Sequence, residues 1–348
     1  MIRTVILSSI IFVLAYMLYV LPVFMLKALF TGSAVVSPAA LPPTVLAFGL
    51  VRLYLATGIT SRLLKGVVNY GMGIGFLAMM ILPAMLLAKA AAGLDGMLAG
   101  WIAVASLGAV TAVCLFNANS LSVRRLALTS DRIARPVTLA FISDVHIGSN
   151  PPAHLGRICD RLGKLEFDSL LIGGDLFDSS DFRFEDIAPL GRLTTAIYFV
   201  TGNHEGYVKG YKAHLARFAE LGIRVLDNDA ADFQGINLIG VGDEQPPVAR
   251  ARAVDRLHRD GRFNIALVHQ PSIWDRTENR VELMLCGHTH NGQIFPFNFL
   301  VRLQFRHVYG LFADGASKLY VSSGCGCWGP RMRLGSRNEI VLVDLRPG

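Results

Sequence analysis

The chain opens on long apolar runs and then changes texture. Residues 4–25, 66–88 and 96–118 each run for about 22–23 residues without a charge. Wound at about 1.5 Å per residue, such a run crosses a hydrocarbon core of about 30 Å. The pattern therefore predicts three membrane-spanning helices. Gly71, Gly73, Gly75 and Pro83 fall inside the second run, and membrane helices tolerate both residue types. A fourth stretch, residues 44–59, is apolar but carries Arg52 and follows Pro38, Pro42 and Pro43. It reads either as a further span or as a segment lying along the interface. The first run is longer than the roughly 7–15 apolar residues of a cleaved signal, and more runs follow, so it reads as a span.

From about Pro136 short apolar runs alternate with amphipathic stretches. Strands are expected at 137–142, 169–172, 196–200, 224–226, 236–241, 264–268, 282–285, 319–322 and 339–344. Helices are expected at 153–165, 184–193 and 209–221. Strands alternating with helices, then a strand-rich end, predict a layered α/β domain. The expected organisation is a helical transmembrane region of three to four spans over 1–121, a basic linker over 122–136, and a catalytic domain over 137–348.

Composition sharpens this picture. The chain is 52% hydrophobic and 17% charged, below the ~25% charge of ordinary soluble domains, and too apolar for disorder. Six cations (Arg3, Lys27, Arg52, Arg62, Lys65, Lys89) against Asp95 alone put +5 of the total +7 on the first 121 residues. The basic balance thus belongs to the membrane half, and no nucleic-acid partner is expected. Arg124, Arg125, Arg132 and Arg135 follow the last run, and Arg62 and Lys65 precede the 66–88 run. By the excess of cations on cytoplasmic loops, three or four spans alike put the C-terminal domain in the cytoplasm of a multi-pass inner-membrane protein. The five cysteines, Cys114, Cys159, Cys286, Cys325 and Cys327, are odd in number and lack framework spacing, which suits a reducing compartment. The Cys325-x-Cys327 pair reads as a turn with two thiols rather than a soft metal site.

Chemistry-bearing residues gather where the expected strands end, the place where open α/β sheets present their ligands. After the first strand come Asp144 and His146, two apart and so on one face of an extended segment. After the second come Gly174 and Asp175, with Asp178 as a supporting acceptor or cap. After the third come Asn203, His204 and Glu205; after 264–268, His269; after 282–285, His288 and His290. Five of the nine histidines fall at strand ends. The other four (His154, His214, His258, His307) read as ordinary surface residues. Seven mixed oxygen and nitrogen donors exceed one tetrahedral zinc and suit two divalent ions sharing a carboxylate. Imidazole with carboxylate favours Mn, Zn or Fe over Mg or Ca. Two ions roughly 3.5–4 Å apart can clamp both oxygens of an in-line displacement and supply a bridging hydroxide as nucleophile, for which a phosphoester is the natural substrate.

The ordered set Asp144-x-His146, Gly174-Asp175-x-x-Asp178, Gly202-Asn203-His204-Glu205, His269 and Gly287-His288-Thr289-His290 resembles the calcineurin-like metallophosphoesterase superfamily. The closing segments 320–324 and 333–335 resemble its membrane-associated bacterial branch, and Arg333 joins Asp178 and Glu205 as a supporting or substrate candidate. The resemblance implies a four-layer α/β/β/α sandwich. It assigns Asp144, His146 and His290 to one metal, and Asn203, His269 and His288 to the other. Asp175 bridges the two, and His204 serves as acid and phosphate contact. Asn291, where a glycine is usual, and Gln270, where Asn or Asp is common, depart from the pattern around the substrate. Members of the superfamily act on UDP-diacylglucosamine lipid A precursors, nucleotides, phosphoproteins or phospholipids. The expectation is therefore a membrane-anchored phosphoesterase, phosphodiesterase or pyrophosphatase, with a lipid-linked substrate among the candidates. A soluble nucleotide or phosphoprotein substrate, and a non-catalytic tethered binding protein, are the alternatives. The run 294–301 places Phe295, Phe297 and Phe299 at alternate positions, which share one face if extended and suggest an apolar lip beside the site.

Overall fold

Uncharged sequence becomes long helix at the N-terminus, as the pattern requires. The computed structural model describes residues 2–57, 62–278 and 280–348. Helix α1 (Ile2–Ala15) continues through a π turn at Tyr16–Val20 into α2 (Leu21–Thr31). Then follow α3 (Leu41–Thr57), α4 (Arg62–Ala92) and α5 (Gly96–Asn119). Four of the resulting helical stretches, Thr4–Thr31, Pro38–Leu55, Leu63–Ala92 and Gly96–Asn119, are long and apolar enough to cross a membrane. The Arg52-bearing stretch is therefore one of the four. Residues 58–61 lie outside the described residues, and with them part of the 60–65 loop used in the orientation argument.

These helices form one unit, reaching Phe116 and including Gly329–Met332. Small residues let its helices approach closely. A Cβ built on Gly75 falls 1.8 Å from the Leu18 carbonyl oxygen, so only glycine fits there. Leu29, Ala78, Leu82, Ala99 and Ala103 form its small core. Val5, Leu46, Leu63, Leu87 and Phe116 stay more than half exposed. So much uncovered apolar surface is unfavourable in water and suits lipid.

The second unit is built on two six-stranded sheets. Strand β1 (Leu121–Ser130) is followed by β2 (Val137–Ile142), helix α6 (Pro152–Leu162), β3 (Ser169–Ile172), a 3-10 segment (Phe184–Arg192) and β4 (Ala196–Phe199). Next come α7 (Asn203–Tyr207), α8 (Tyr211–Leu215), β5 (Ile223–Val225), β6 (Asp229–Phe233), β7 (Ile236–Val241), α9 (Pro247–Leu257), β8 (Phe263–Val268) and β9 (Leu283–Cys286). The chain closes with α10 (Phe297–Gln304), β10 (Gly310–Asp314), β11 (Ser317–Val321) and β12 (Asn338–Pro347). The first sheet runs β1-β12-β2-β3-β4-β5 and the second β10-β11-β9-β8-β7-β6. The first sheet has one antiparallel pairing, β12 against β2, and the second has two, β10 against β11 and β6 against β7; the remaining neighbours are parallel.

Three apolar layers hold this unit together. Leu139, Phe141, Leu171, Leu238, Ile265, Leu285 and Val343 fill the space between the sheets. Leu155, Ile158, Leu162 and Ile187 cover the outer face of the first sheet, and Val254, Ile273 and Trp274 that of the second. The result is the four-layer sandwich expected. Two readings of the sequence are corrected. Most of the 122–136 stretch is not a linker but β1, which pairs in parallel with β12 from Leu121↔Asn338 to Ser130↔Pro347. The Phe295–Phe299 run is not extended, since α10 starts just after Pro296, so alternate phenylalanines do not share a strand face.

Candidate metal centre

Each ligand-bearing loop leaves the carboxyl end of a strand. Asp144 and His146 follow β2, Asp175 follows β3, Asn203 starts α7 after β4, His269 follows β8, and His288 and His290 follow β9. The chain bends sharply to aim them inward. Asp144, His146, Asp175, His288 and His290 all have positive φ, between 50° and 72°. Such backbone is disfavoured for residues with a Cβ and collects where a site over-determines the geometry. Gly202 is required by crowding, because a Cβ there would lie 2.1 Å from Asp175 Oδ1.

Six of the seven donors converge as two triads that meet at the Asp175 carboxylate. Asp144, His146 and His290 bring their donor atoms within 4.8 Å of one another, and so do Asp175, His269 and His288. His290 Nε2 lies 3.1 Å from His146 Nε2 and 3.5 Å from Asp144 Oδ1. His288 Nδ1 lies 3.2 Å from His269 Nε2. Asp175 Oδ2 sits between them, 3.6 Å from His146 Nε2 and 3.1 Å from His269 Nε2. Asn203 Oδ1 is buried and has no hydrogen-bond partner. A buried amide oxygen without a donor is costly, and a cation is the partner its chemistry fits. The remaining ring and carboxylate atoms are fixed from behind. The His269 Nδ1 faces the Gly173 carbonyl at 2.9 Å, so Nε2 points inward. The His288 backbone N–H donates to both Asp144 oxygens, and the His204 N–H to Asp175 Oδ1.

Desolvation and mutual charge separate the protonation states. Burial pushes Asp144 up, with the neighbouring Asp175 adding to it. Asp175 is driven well down: burial opposes this, but His269, His146 and His204 around it win. His269 resists burial and rises to about 9, beside Asp175. Burial and the neighbouring imidazoles pull His288 down to about 3 and His290 far below the usual histidine range. Metal ligation needs neutral imidazoles and ionised carboxylates, and His288, His290 and Asp175 are already held in those forms.

The three supporting or substrate candidates, Asp178, Glu205 and Arg333, all brace the site. Asp178 accepts from the Ser149 N–H and hydroxyl and stands 3.1 Å from His146 Nδ1. A carboxylate behind an imidazole fixes its tautomer and ring orientation. Glu205, fully buried, accepts from the N–H groups of Asp175, Leu176, Phe177 and Gly202, tying the second motif to the third. Arg333 does not face substrate. It is 0% exposed and donates to the carbonyls of His290, Ser323 and Gly326 and to the Ser336 hydroxyl. It braces the loop that carries His290. Arg333→Met should orphan the Ser323 and Gly326 carbonyls, at about 1–3 kcal/mol each, while the His290 carbonyl keeps the Gln293 N–H. We expect a thermal midpoint several degrees lower in the solubilised chain; a wild-type midpoint would contradict this.

His204 stands at the mouth, its side chain 16% exposed and Nε2 4.0 Å from Asp175 Oδ2. Burial pulls its pKa down to about 4, against the pull of Asp175. Its ring packs edge-on to His146 and Tyr207, and tilted against Trp328 at 5.6 Å. Tyr207 and Trp328 were not singled out in the sequence, because neither belongs to a spaced ligand motif. Both remain more than half exposed. Phe305 likewise lies edge-on to His288.

Outside the site, Cys325 donates its thiol to the Glu339 carbonyl, and no metal-type cluster among the described residues includes a cysteine. His154 and His307 are corrected from surface to buried. His154 Nε2 meets the Cys325 carbonyl at 2.7 Å and His307 Nε2 faces the Asp275 carboxylate.

Comparison with known proteins agrees with this geometry. Residues 137–292 match the family model described as calcineurin-like phosphoesterase. An uncharacterized metallophosphoesterase of Helicobacter pylori is 33% identical over 237 residues, which cover 65% of this chain and 64% of that protein. The match thus spans just under two thirds of that relative's length. A zebrafish (Danio rerio) transmembrane protein with metallophosphoesterase domain is 31% identical over 60% of this chain and 53% of its own. The phosphodiesterase YaeI of Escherichia coli is 33% identical over 64% of this chain and 86% of its own. The chain, with its membrane-type helices, is therefore a membrane-associated member of the calcineurin-like phosphoesterase family.

Proposed function

We propose that this protein is a membrane-anchored phosphoesterase with two divalent cations. Asp144, His146 and His290 would hold one, and Asn203, His269 and His288 the other, with Asp175 shared. The observation that carries this is Asp175 Oδ2, which faces both triads at 3.6 and 3.1 Å. The mixed donors suit Mn, Zn or Fe. When bound, such a pair polarises phosphoryl oxygens and lowers the pKa of water toward neutrality. The chain itself contributes position and proton handling. Asp178 and Glu205 hold the donors still, and His204, at the mouth, contacts the phosphoryl group, whose negative charge raises the imidazole pKa from the low value of the free site and lets it protonate the leaving oxygen. Metal analysis of the purified protein, with hydrolysis of mono- and bis-p-nitrophenyl phosphate, tests the reading. Metal-loaded protein without hydrolysis would leave a tethered binding protein.

The apolar rim supports a lipid-linked phosphoester or pyrophosphate substrate, with UDP-diacylglucosamine-type precursors among those to assay. Although α10 is helical, Phe295, Phe297, Phe299, Leu300 and Leu303 are all 47% or more exposed. Gln293 ties this segment to the backbone of Trp328, which packs on His204. Replacing Phe297 and Phe299 together with serine should cost about tenfold on a lipid substrate, from lost apolar contact, and little on a soluble chromogenic one. Equal losses on both would remove the lipid reading. The cation bias of the chain supports an inner-membrane protein with residues 137–348 in the cytoplasm. A C-terminal alkaline phosphatase fusion should be inactive and a green fluorescent protein fusion bright.

A further inference from the structure

A second polar cavity, of ≈ 630 Å³, opens in the unit that carries the metal centre. Its wall includes Asn117, from the last turn of the fourth hydrophobic helix, and Arg124 and Arg125 of β1. Asn291, Arg337 and Glu339 complete the part that concerns charge. None of these is a donor of the metal triads.

The charge balance of that wall is unequal. Glu339 is its one carboxylate, and it is occupied. It is 2% exposed and accepts from the hydroxyls of Tyr309, Tyr320 and Ser322 and the Ser323 N–H. Arg124 lies over the Tyr309 ring, its Nε 3.7 Å from Glu339 Oε2. Arg125 pairs with Asp344 at 3.0 Å. Arg337 is exposed and pairs with no acid among the described residues. Strand β1 ends its sheet, and among the described residues only β12 bonds to it. With Glu339 facing Arg124 and Asp344 facing Arg125, Arg337 is the guanidinium left with no acid among the described residues, and its fork matches phosphate oxygens.

The place in the chain selects the source of the anion. Helix α5 ends at Asn119 and β1 begins at Leu121. At about 3.3 Å per residue, Arg124 and Arg125 lie within about 20 Å of the end of a membrane-type helix. Cations at such a position attract anionic headgroups. We propose that this cavity binds a phosphate ester, supplied by the headgroup of an anionic phospholipid. It needs neither the metals nor the hydrolytic reaction.

The test is native mass spectrometry of the full chain released from detergent after incubation with phosphatidylglycerol or phosphatidylcholine. Wild type should retain phosphatidylglycerol selectively. Arg337→Ser, at an exposed and unpaired side chain, should lower that retention about tenfold, the scale of one charge-assisted contact. Arg135→Ser, an exposed cation outside the cavity, is the control for net charge and should leave retention unchanged. Retention of both lipids alike would overturn the proposal. So would equal loss in the two variants, which means a diffuse basic surface. Displacement of phosphatidylglycerol by equimolar inorganic phosphate would overturn the lipid source.

Discussion

Asp175→Ala is expected to empty both metal positions and to abolish phosphoester hydrolysis. The other donors divide between two triads, but the Asp175 carboxylate faces His146 on one side and His269 on the other. Its second oxygen accepts from the His204 N–H, and its backbone N–H donates to Glu205. Alanine removes the shared anion and leaves several imidazoles facing one another within hydrogen-bond distance. Losing the charge that compensates two dications should cost each site on the order of 100-fold or more in affinity, at the upper end of what even outer-shell changes cost. Metal content measured by inductively coupled plasma mass spectrometry, together with turnover of bis-p-nitrophenyl phosphate, reads both effects. A variant that retains two equivalents of metal would refute the sharing of Asp175, whatever its activity. Asp144→Ala should behave differently, with loss centred on one position, because the Asp144 carboxylate faces the imidazoles of His146 and His290 and meets His288 only through its backbone N–H.

Much of this site was readable before any geometry, for a physical reason. Ligand loops of an α/β sheet follow strands directly, so short apolar runs such as 137–142 and 169–172 point at the residues that come next. Uncharged helices were equally legible, because spanning a bilayer depends on length and on the absence of charge. The failures share a cause: they depend on partners distant in sequence. Strand β1 looks like a basic linker because the adjacent Arg124 and Arg125 break its apolar pattern, and its partner β12 lies over 200 residues away. Phe295-x-Phe297-x-Phe299 has strand periodicity, but Pro296 precedes a helix start and overrides it. Arg333 reads from the sequence as either a supporting group or a substrate contact, and the backbone carbonyls that engage it come from two separate segments, at His290 and at 323–326. The small polar strands β6 and β10 lie at sheet edges, where little apolar pattern is imposed.

His204→Ala should retain metal and lose turnover on the order of 10²-fold or more, the usual contribution of a positioned acid. A rival role exists, because the His204 ring also comes within 4.8 Å of donor atoms on His146 and Asp178. Its surroundings argue against ligation. Asp178 is engaged by Ser149 and by the outward nitrogen of His146, so it does not offer the same pair of sites as the two triads. The His204 ring instead lines the mouth with Tyr207 and Trp328, where a substrate must pass. A group that acts on the leaving oxygen matters most when that oxygen is a poor leaving group. The defect should therefore be large for an alkyl phosphoester and smaller for a p-nitrophenyl ester, whose leaving group needs little protonation. His204→Gln, which keeps a hydrogen-bond donor, should recover binding more than turnover of the alkyl substrate. Loss of one metal equivalent in His204→Ala would make it a ligand, and equal defects on both leaving groups would exclude the acid role while leaving phosphate contact intact.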